Sequence, residues 1–163
     1  MIGISACLLG FPCRYNGQEL YHPLVEQMKE KGEVFFPICP EVAGGLSTPR
    51  SPCEFLTGDG NSLLQGQGKI ITREGKDVTD KMVQGGKIAL EVCEKQKIKQ
   101  LMLQAGSPSC GYGWIYDGTF TGKKKKGDGI FAAMAKKKGL LCFSVRGEKI
   151  KKTTEKKTKE EKT

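Results

Sequence analysis

A chain of 163 residues, 37% hydrophobic and 28% charged, has the length and composition of one soluble globular domain, and no apolar run approaches the length of a membrane span. The net charge of +9 is local: Lys123–Lys126 hold four lysines, and 147–163 carry seven lysines against four glutamates, leaving the body nearly balanced. That distribution speaks against a nucleic-acid-binding surface spread over the whole domain.

The apolar segment Ile2–Leu9 reads as a buried first strand ending at Gly10, with Cys13, Arg14, Asn16 and Gly17 in the loop that follows. No basic flank precedes it and no small-residue cleavage site follows, so the expected location is cytoplasmic. His22 and Pro23 open a helix with Leu24, Val25 and Met28 on its inner face, and Gly32 stops it. Val34–Ile38 is then a short strand delivering Cys39 into a second loop. The stretch from Cys39 to Asp77 is rich in Gly, Pro, Ser and Thr. A loop that long implies a lid, a binding loop or small strands, with Lys69–Thr72 as one side of a hairpin.

Met82, Val83, Ile88, Ala89, Val92 and Cys93 recur at helical spacing and predict a helix over Val78–Lys95, capped by Asp77 or Thr79. Ile98–Ala105 is a third strand leading into the loop Gly106–Gly113. After a Gly-rich aromatic stretch come a helix at Ile130–Lys138 and a strand at Leu140–Val145. Strands alternating with helices predict a single-domain, three-layer Rossmann-like α/β fold with a mostly parallel sheet and a long Gly/Pro-rich loop region. The domain is expected over residues 1–146, with 147–163 as a mobile Lys-rich tail. Neither a GxGxxG nor a Walker-type string follows the first strand, so no dinucleotide or nucleoside triphosphate site is expected.

Seven cysteines in a chain without an export signal are not expected to pair, because the cytosol keeps thiols reduced. Cys7 with Cys13, Cys39 and Cys110 fall where the first three strands meet their loops, and a parallel sheet brings such ends together. Cys93 and Cys142 read as core thiols, and Cys53 is undecided. There is no CxxC pair, and the one histidine, His22, opens a helix. A thiol-rich, histidine-poor set favours soft metals and iron-sulfur clusters over zinc. On the residues alone, Glu41 reads as an exposed loop carboxylate and Ser109 as a turn hydroxyl.

The strings ISACLLG with PCRYNG, CPEVAGGLSTPR, GKDVT, SPSCG and YDGTFTG, in this order over Met1–Val145, resemble the family called domain of unknown function 523, whose characterised members are thiouracil desulfurases. The resemblance implies a 4Fe-4S cluster held by three cysteines with one iron open to the sulfur of a thiolated uracil. Carried over motif by motif, the ligands are Cys7, Cys39 and Cys110, with Cys13 as a substitute ligand or a neighbouring thiol. It also implies Glu41 and Ser109 as acid/base and orienting groups. Arg50, in the string GGLSTPR, is expected to reach a phosphate or carbonyl oxygen of the substrate, as its fork geometry suits, and Ser107 is expected to touch substrate as well. Three ligands leave the vacant position that a catalytic centre needs. The expected reaction is hydrolytic, non-redox loss of hydrosulfide from thiouracil or a thiouridine nucleotide such as 4-thio-UMP. The lysines leave open an RNA-directed protein acting on thiolated tRNA, and a fourth cysteine ligand would make the chain a non-catalytic metal-binding module. No feature of the sequence fixes an oligomeric state.

Overall fold

The computed structural model describes residues 1–17 and 20–146 and the backbone of 148–149, so the Lys-rich tail expected at 147–163 lies, apart from that backbone pair, outside the described residues. The chain opens with β1 (Ile2–Ser5) and turns at once into a 3-10 turn, Ala6–Leu9, closed by Gly10 at φ 88°. A left-handed closing residue is one that glycine supplies without steric cost. The expected strand therefore stops at Ser5. The carbonyls of Ala6 and Cys7 are taken locally by the N–H groups of Phe11 and Gly10.

After β2 (Leu20–Tyr21), α1 (Pro23–Glu30) starts as its sequence predicts: Pro23 occupies the first turn, and His22 Nδ1 accepts the Leu24 N–H at 3.1 Å. Its buried face is narrower than expected. Val25 is fully buried and Met28 packs beside it, whereas Leu24 is exposed, because only one side of this short helix meets the sheet. β3 (Phe35–Ile38) follows, and Cys39 caps α2 (Pro40–Ala43).

The Gly/Pro-rich stretch is built of small elements. Beyond α2 it contains β4 (Cys53–Thr57), α3 (Gly60–Leu64) and β5 (Lys69–Thr72), with β4 and β5 pairing antiparallel as the expected hairpin. Next come α4 (Thr79–Lys95), β6 (Gln100–Gln104), the antiparallel pair β7 (Trp114–Tyr116) and β8 (Lys124–Lys126), α5 (Ile130–Lys137), β9 (Leu141–Val145) and β10 (Glu148–Lys149), which pairs with β2.

The main sheet has the order β3-β1-β6-β9, all parallel. Side chains alternate between its faces as strand geometry requires. Ile2, Ile4, Met102 and Val145 pack with Val25 of α1, while Ile38, Leu101, Leu103 and Cys142 pack with Ala89 and Cys93 of α4 and Phe131, Ala132 and Ala135 of α5. These are the three layers. Cys93 and Cys142 are core thiols, as expected.

A third apolar cluster docks the β4–β5 hairpin, through Phe55 and Ile70, on Met82 of α4, Ile115 of β7 and Ile130 and Met134 of α5. The chain leaves β1 for β3 on one side and later enters β6 on the other. Carboxyl ends at such a reversal are where open α/β sheets bind ligands. Among the described residues no helix is long and apolar enough to cross a membrane.

Candidate active site

At those carboxyl ends the loops after β1, β3 and β6 close around a cavity of about 440 Å³. Cys7, Cys13, Cys39 and Cys110 all line it, together with Glu41, Arg50, Ser107 and Ser109. Every residue singled out from the sequence for the site thus reaches one space. His22 is not among the lining residues; its Nδ1 is engaged at the start of α1.

Local sequence explains how each group arrives. Pro40 presets the first turn of α2, and Glu41 beside it sits where a helix favours a carboxylate. The helix is pressed against α4 at two glycines: a Cβ on Gly85 would overlap the Pro40 carbonyl oxygen, and one on Gly44 would overlap that of Lys81. Across the cavity, Ser107 Oγ accepts the Cys110 N–H at 2.8 Å, making a tight turn of the Ser107–Cys110 loop. That loop also closes the start of α5. The Pro108 carbonyl accepts the Ile130 N–H at 2.8 Å, and the Ser109 carbonyl accepts those of Phe131 and Ala132 at 3.0 and 3.2 Å. Helix donors that would otherwise be orphaned therefore fix the backbone of Ser109.

Ser109, 1% exposed, donates its hydroxyl to Glu41 Oε2 at 2.8 Å, and its Oγ lies 3.3 Å from that of Ser107. The other carboxylate oxygen, Oε1, lies 3.4 Å from Arg50 Nη2; the two side chains are 8% (Arg50) and 15% (Glu41) exposed. Arg50 is heavily engaged: Nη1 donates to the Ser47 carbonyl and Thr48 Oγ1, and Nη2 to the Cys13 carbonyl. Its Nε is buried without a partner among the described residues. A single connected line, Arg50–Glu41–Ser109–Ser107–Cys110, therefore ties the loops after β3 and β6 to the Cys13 segment.

The thiols interact with one another. Cys13 is drawn down by its hydrogen bond with Cys39 but pushed up by that with Cys7 and by burial, to about 11 net. Cys39, bonded to Cys13 and desolvated, is held far above the ordinary thiol range. Burial pushes Cys110 up to about 12 and Cys53 up to about 11. Such thiols stay neutral until a cationic metal group enters, and a lining whose soft donors are all sulfur selects a soft one. The donor set therefore fits an iron-sulfur cluster.

Two features were not visible in the sequence. Glu54 in β4 is buried against the cavity and accepts the N–H groups of Gly118 and Phe120 at 3.0 and 3.1 Å. Arg14, Arg73 and Arg146 also reach the wall, and Arg73 lies 5.9 Å from the Phe120 ring centre. Within the lysine run, Lys124 lies 5.5 Å over the ring of Tyr116, another residue of the wall.

Residues 2–146 match the family model described as 2-thiouracil desulfurase. The chain is 40% identical over 144 residues to the Bacillus subtilis (strain 168) protein named "Uncharacterized protein YbbK", covering 88% of this chain and 95% of that one. The solved structure of "[4Fe-4S]-dependent thiouracil desulfidase TudS" superposes with a TM-score of 0.74 at 39% identity, over 88% of this chain and 89% of the other.

Proposed function

This chain belongs to the 2-thiouracil desulfurase family, and from that premise we propose that it is a 4Fe-4S-dependent desulfidase that hydrolyses thiouracil or a thiouridine nucleotide to the uracil product and hydrosulfide. The observation that carries the reading is the Ser109–Glu41 hydrogen bond of 2.8 Å, made between two strand-end loops in the wall of a thiol-lined cavity. Similarity to a solved [4Fe-4S]-dependent thiouracil desulfidase supports the cofactor. Cys7, Cys39 and Cys110 hold the cluster, one from each loop, and Cys13 lies beside Cys39 and Cys7 as a neighbouring thiol.

When bound, the cluster supplies a Lewis-acidic iron with an open position for the thiocarbonyl sulfur. Glu41 takes a proton from the attacking water and returns it as the hydrosulfide leaves. Ser109, donating to Glu41 Oε2, holds the carboxylate in one orientation and directs its free lone pairs at the water. Arg50 keeps Glu41 in place from the other side, and Ser107 shapes the loop that presents Ser109 and Cys110. The water oxygen forms the new carbon–oxygen bond, the carbon–sulfur bond breaks with its electrons on sulfur, and no outside electron is consumed.

Arg14, Arg73 and Arg146 around the cavity favour a substrate that carries phosphate, such as 4-thio-UMP. An RNA strand is the second reading. The facing pairs Trp114–Lys126 and Tyr116–Lys124 put aromatic and basic groups on one side of the β7–β8 hairpin, next to the cavity. We place the domain at 1–146 and the enzyme in the cytoplasm, where its thiols stay reduced.

The test is anaerobic reconstitution with iron and sulfide counted per chain. Hydrosulfide release is then measured from 2-thiouracil, 4-thiouracil, 4-thio-UMP and a 4-thiouridine oligonucleotide. Glu41→Gln is expected to keep the iron and lose about 10²–10⁴-fold in kcat. A fully loaded chain that releases hydrosulfide from none of the four would end this reading.

A further inference from the structure

The cavity contains one more carboxylate that the chemistry above leaves unused. Glu54 spends Oε1 on two backbone donors, the Gly118 and Phe120 N–H groups of the loop after β7. Among the described residues nothing donates to Oε2. Nor is Oε2 sealed in the wall, because among the described residues Arg50 Nε is the one side-chain N or O atom both buried and unpartnered. Glu54 thus lines the cavity with an acceptor oxygen that no donor of the described residues engages.

The bonded oxygen has its own consequence. Phe120 has a φ of 56°, in a left-handed region that a bulky side chain rarely enters. Gly118, two residues earlier and at φ 92°, packs so closely that a Cβ would overlap the Phe55 carbonyl oxygen. The two N–H bonds to Glu54 hold this loop shape, and with it the Phe120 ring in the cavity wall, where Arg73 packs against the ring. An aromatic wall and an acceptor-only oxygen suit a planar ring that carries its own N–H: one stacks, the other accepts.

We infer that Glu54 and Phe120 are the specificity-determining pair for the substrate ring, Glu54 Oε2 accepting the ring N–H next to the thiocarbonyl and Phe120 stacking on the ring face. The substrate class is a cyclic thioamide with a free ring N–H, which 2-thiouracil and 4-thiouracil share at N3 whatever N1 carries. A cytosine-type ring places a lone pair at N3 opposite the carboxylate and is rejected, since a site built to accept a hydrogen bond penalises a ligand that cannot donate one. The identity of the ring rests on the desulfidase reading of this cavity.

The experiment is calorimetric binding of uracil and of 3-deazauracil, which keeps the ring outline and replaces N3–H by C–H, to the full-length, cluster-loaded chain at a pH where both ligands are neutral. Wild type is expected to bind uracil on the order of tenfold to a hundredfold more tightly, the range for a hydrogen bond to a charged group. Glu54→Gln keeps an oxygen for the loop amides but turns an NH₂ group on the ring. It is expected to bring the ratio below about threefold by weakening uracil. Phe120→Leu weakens both ligands alike and leaves the ratio standing. Equal binding of the two ligands by wild type, no binding of uracil, or an unchanged ratio in Glu54→Gln overturns the inference; the wild-type outcomes do so even if the variant does not fold. Hydrosulfide release from 2-thiouracil by the same wild-type preparation reports separately on the desulfidase reading.

Discussion

Arg50 shows how much a single side chain carries here. It stands between Glu41 and three loop acceptors, the Ser47 carbonyl, Thr48 Oγ1 and the Cys13 carbonyl, so its charge is matched by one carboxylate and its geometry by the loops. A buried pair broken on one side leaves an uncompensated charge, which costs about 3–5 kcal/mol. Arg50→Met is accordingly expected to lower unfolding free energy in urea by that amount, and the double variant with Glu41→Gln to recover a good part of it. Additive losses from the two substitutions would mean that the pair is not coupled.

Helix packing sets the position of Glu41 more than the helix itself does. α2 is four residues long, too short to be stable alone, and is held by its contact with α4 at Gly44 and Gly85. A glycine inside a 17-residue helix costs about 1 kcal/mol relative to alanine, and its use at Gly85 is the close approach of the Pro40 carbonyl. Gly85→Ala is expected to destabilise the fold by about 1–3 kcal/mol and to reduce iron per chain by displacing Cys39. The neighbouring Gly86→Ala meets the flexible Met134 sulfur at 3.0 Å and is expected to change stability by less than about 1 kcal/mol, with iron unaffected. Equal iron contents in the two variants would detach Gly85 from the site.

The same scale explains what could be read in advance. α4 follows from apolar periodicity, and α5, β6 and β9 from apolar segments bounded by glycine-rich turns; all were visible in the sequence, as was the convergence of strand-end cysteines. α2, β4 and α3 were not, because elements of four or five residues have no period to show and are fixed by tertiary contacts. Glu54 was invisible for a related reason: the amides it accepts lie 64 and 66 residues further along the chain.

At the scale of the whole molecule, the proposed ligands come from three crossovers of one sheet, so a bound cluster joins parts of the chain that only the folded state brings together. A group that binds the native state alone at a thousand times its dissociation constant adds about 4 kcal/mol. For a chain of this size that corresponds to about 8–16 °C in Tm. Removing the cluster with a chelator under anaerobic conditions is expected to lower Tm by that order, and Tm values equal before and after would show that the cluster does not bridge the loops.

The strand order β3-β1-β6-β9 also bears on timing. β1 lies in the middle of the sheet between strands that are made later, and its partner β6 enters about a hundred residues after it. Parallel sheets with such distant pairings form slowly, since each pairing waits for a long loop to close. Until β6 is placed, Cys110 and Cys7 are far apart, and thiols that end up buried stand open to oxidants in the partly folded chain. With Cys7 and Cys110 as proposed ligands, cluster insertion is expected to come late, and the interval before it to be when this protein is most exposed to mispaired cysteines.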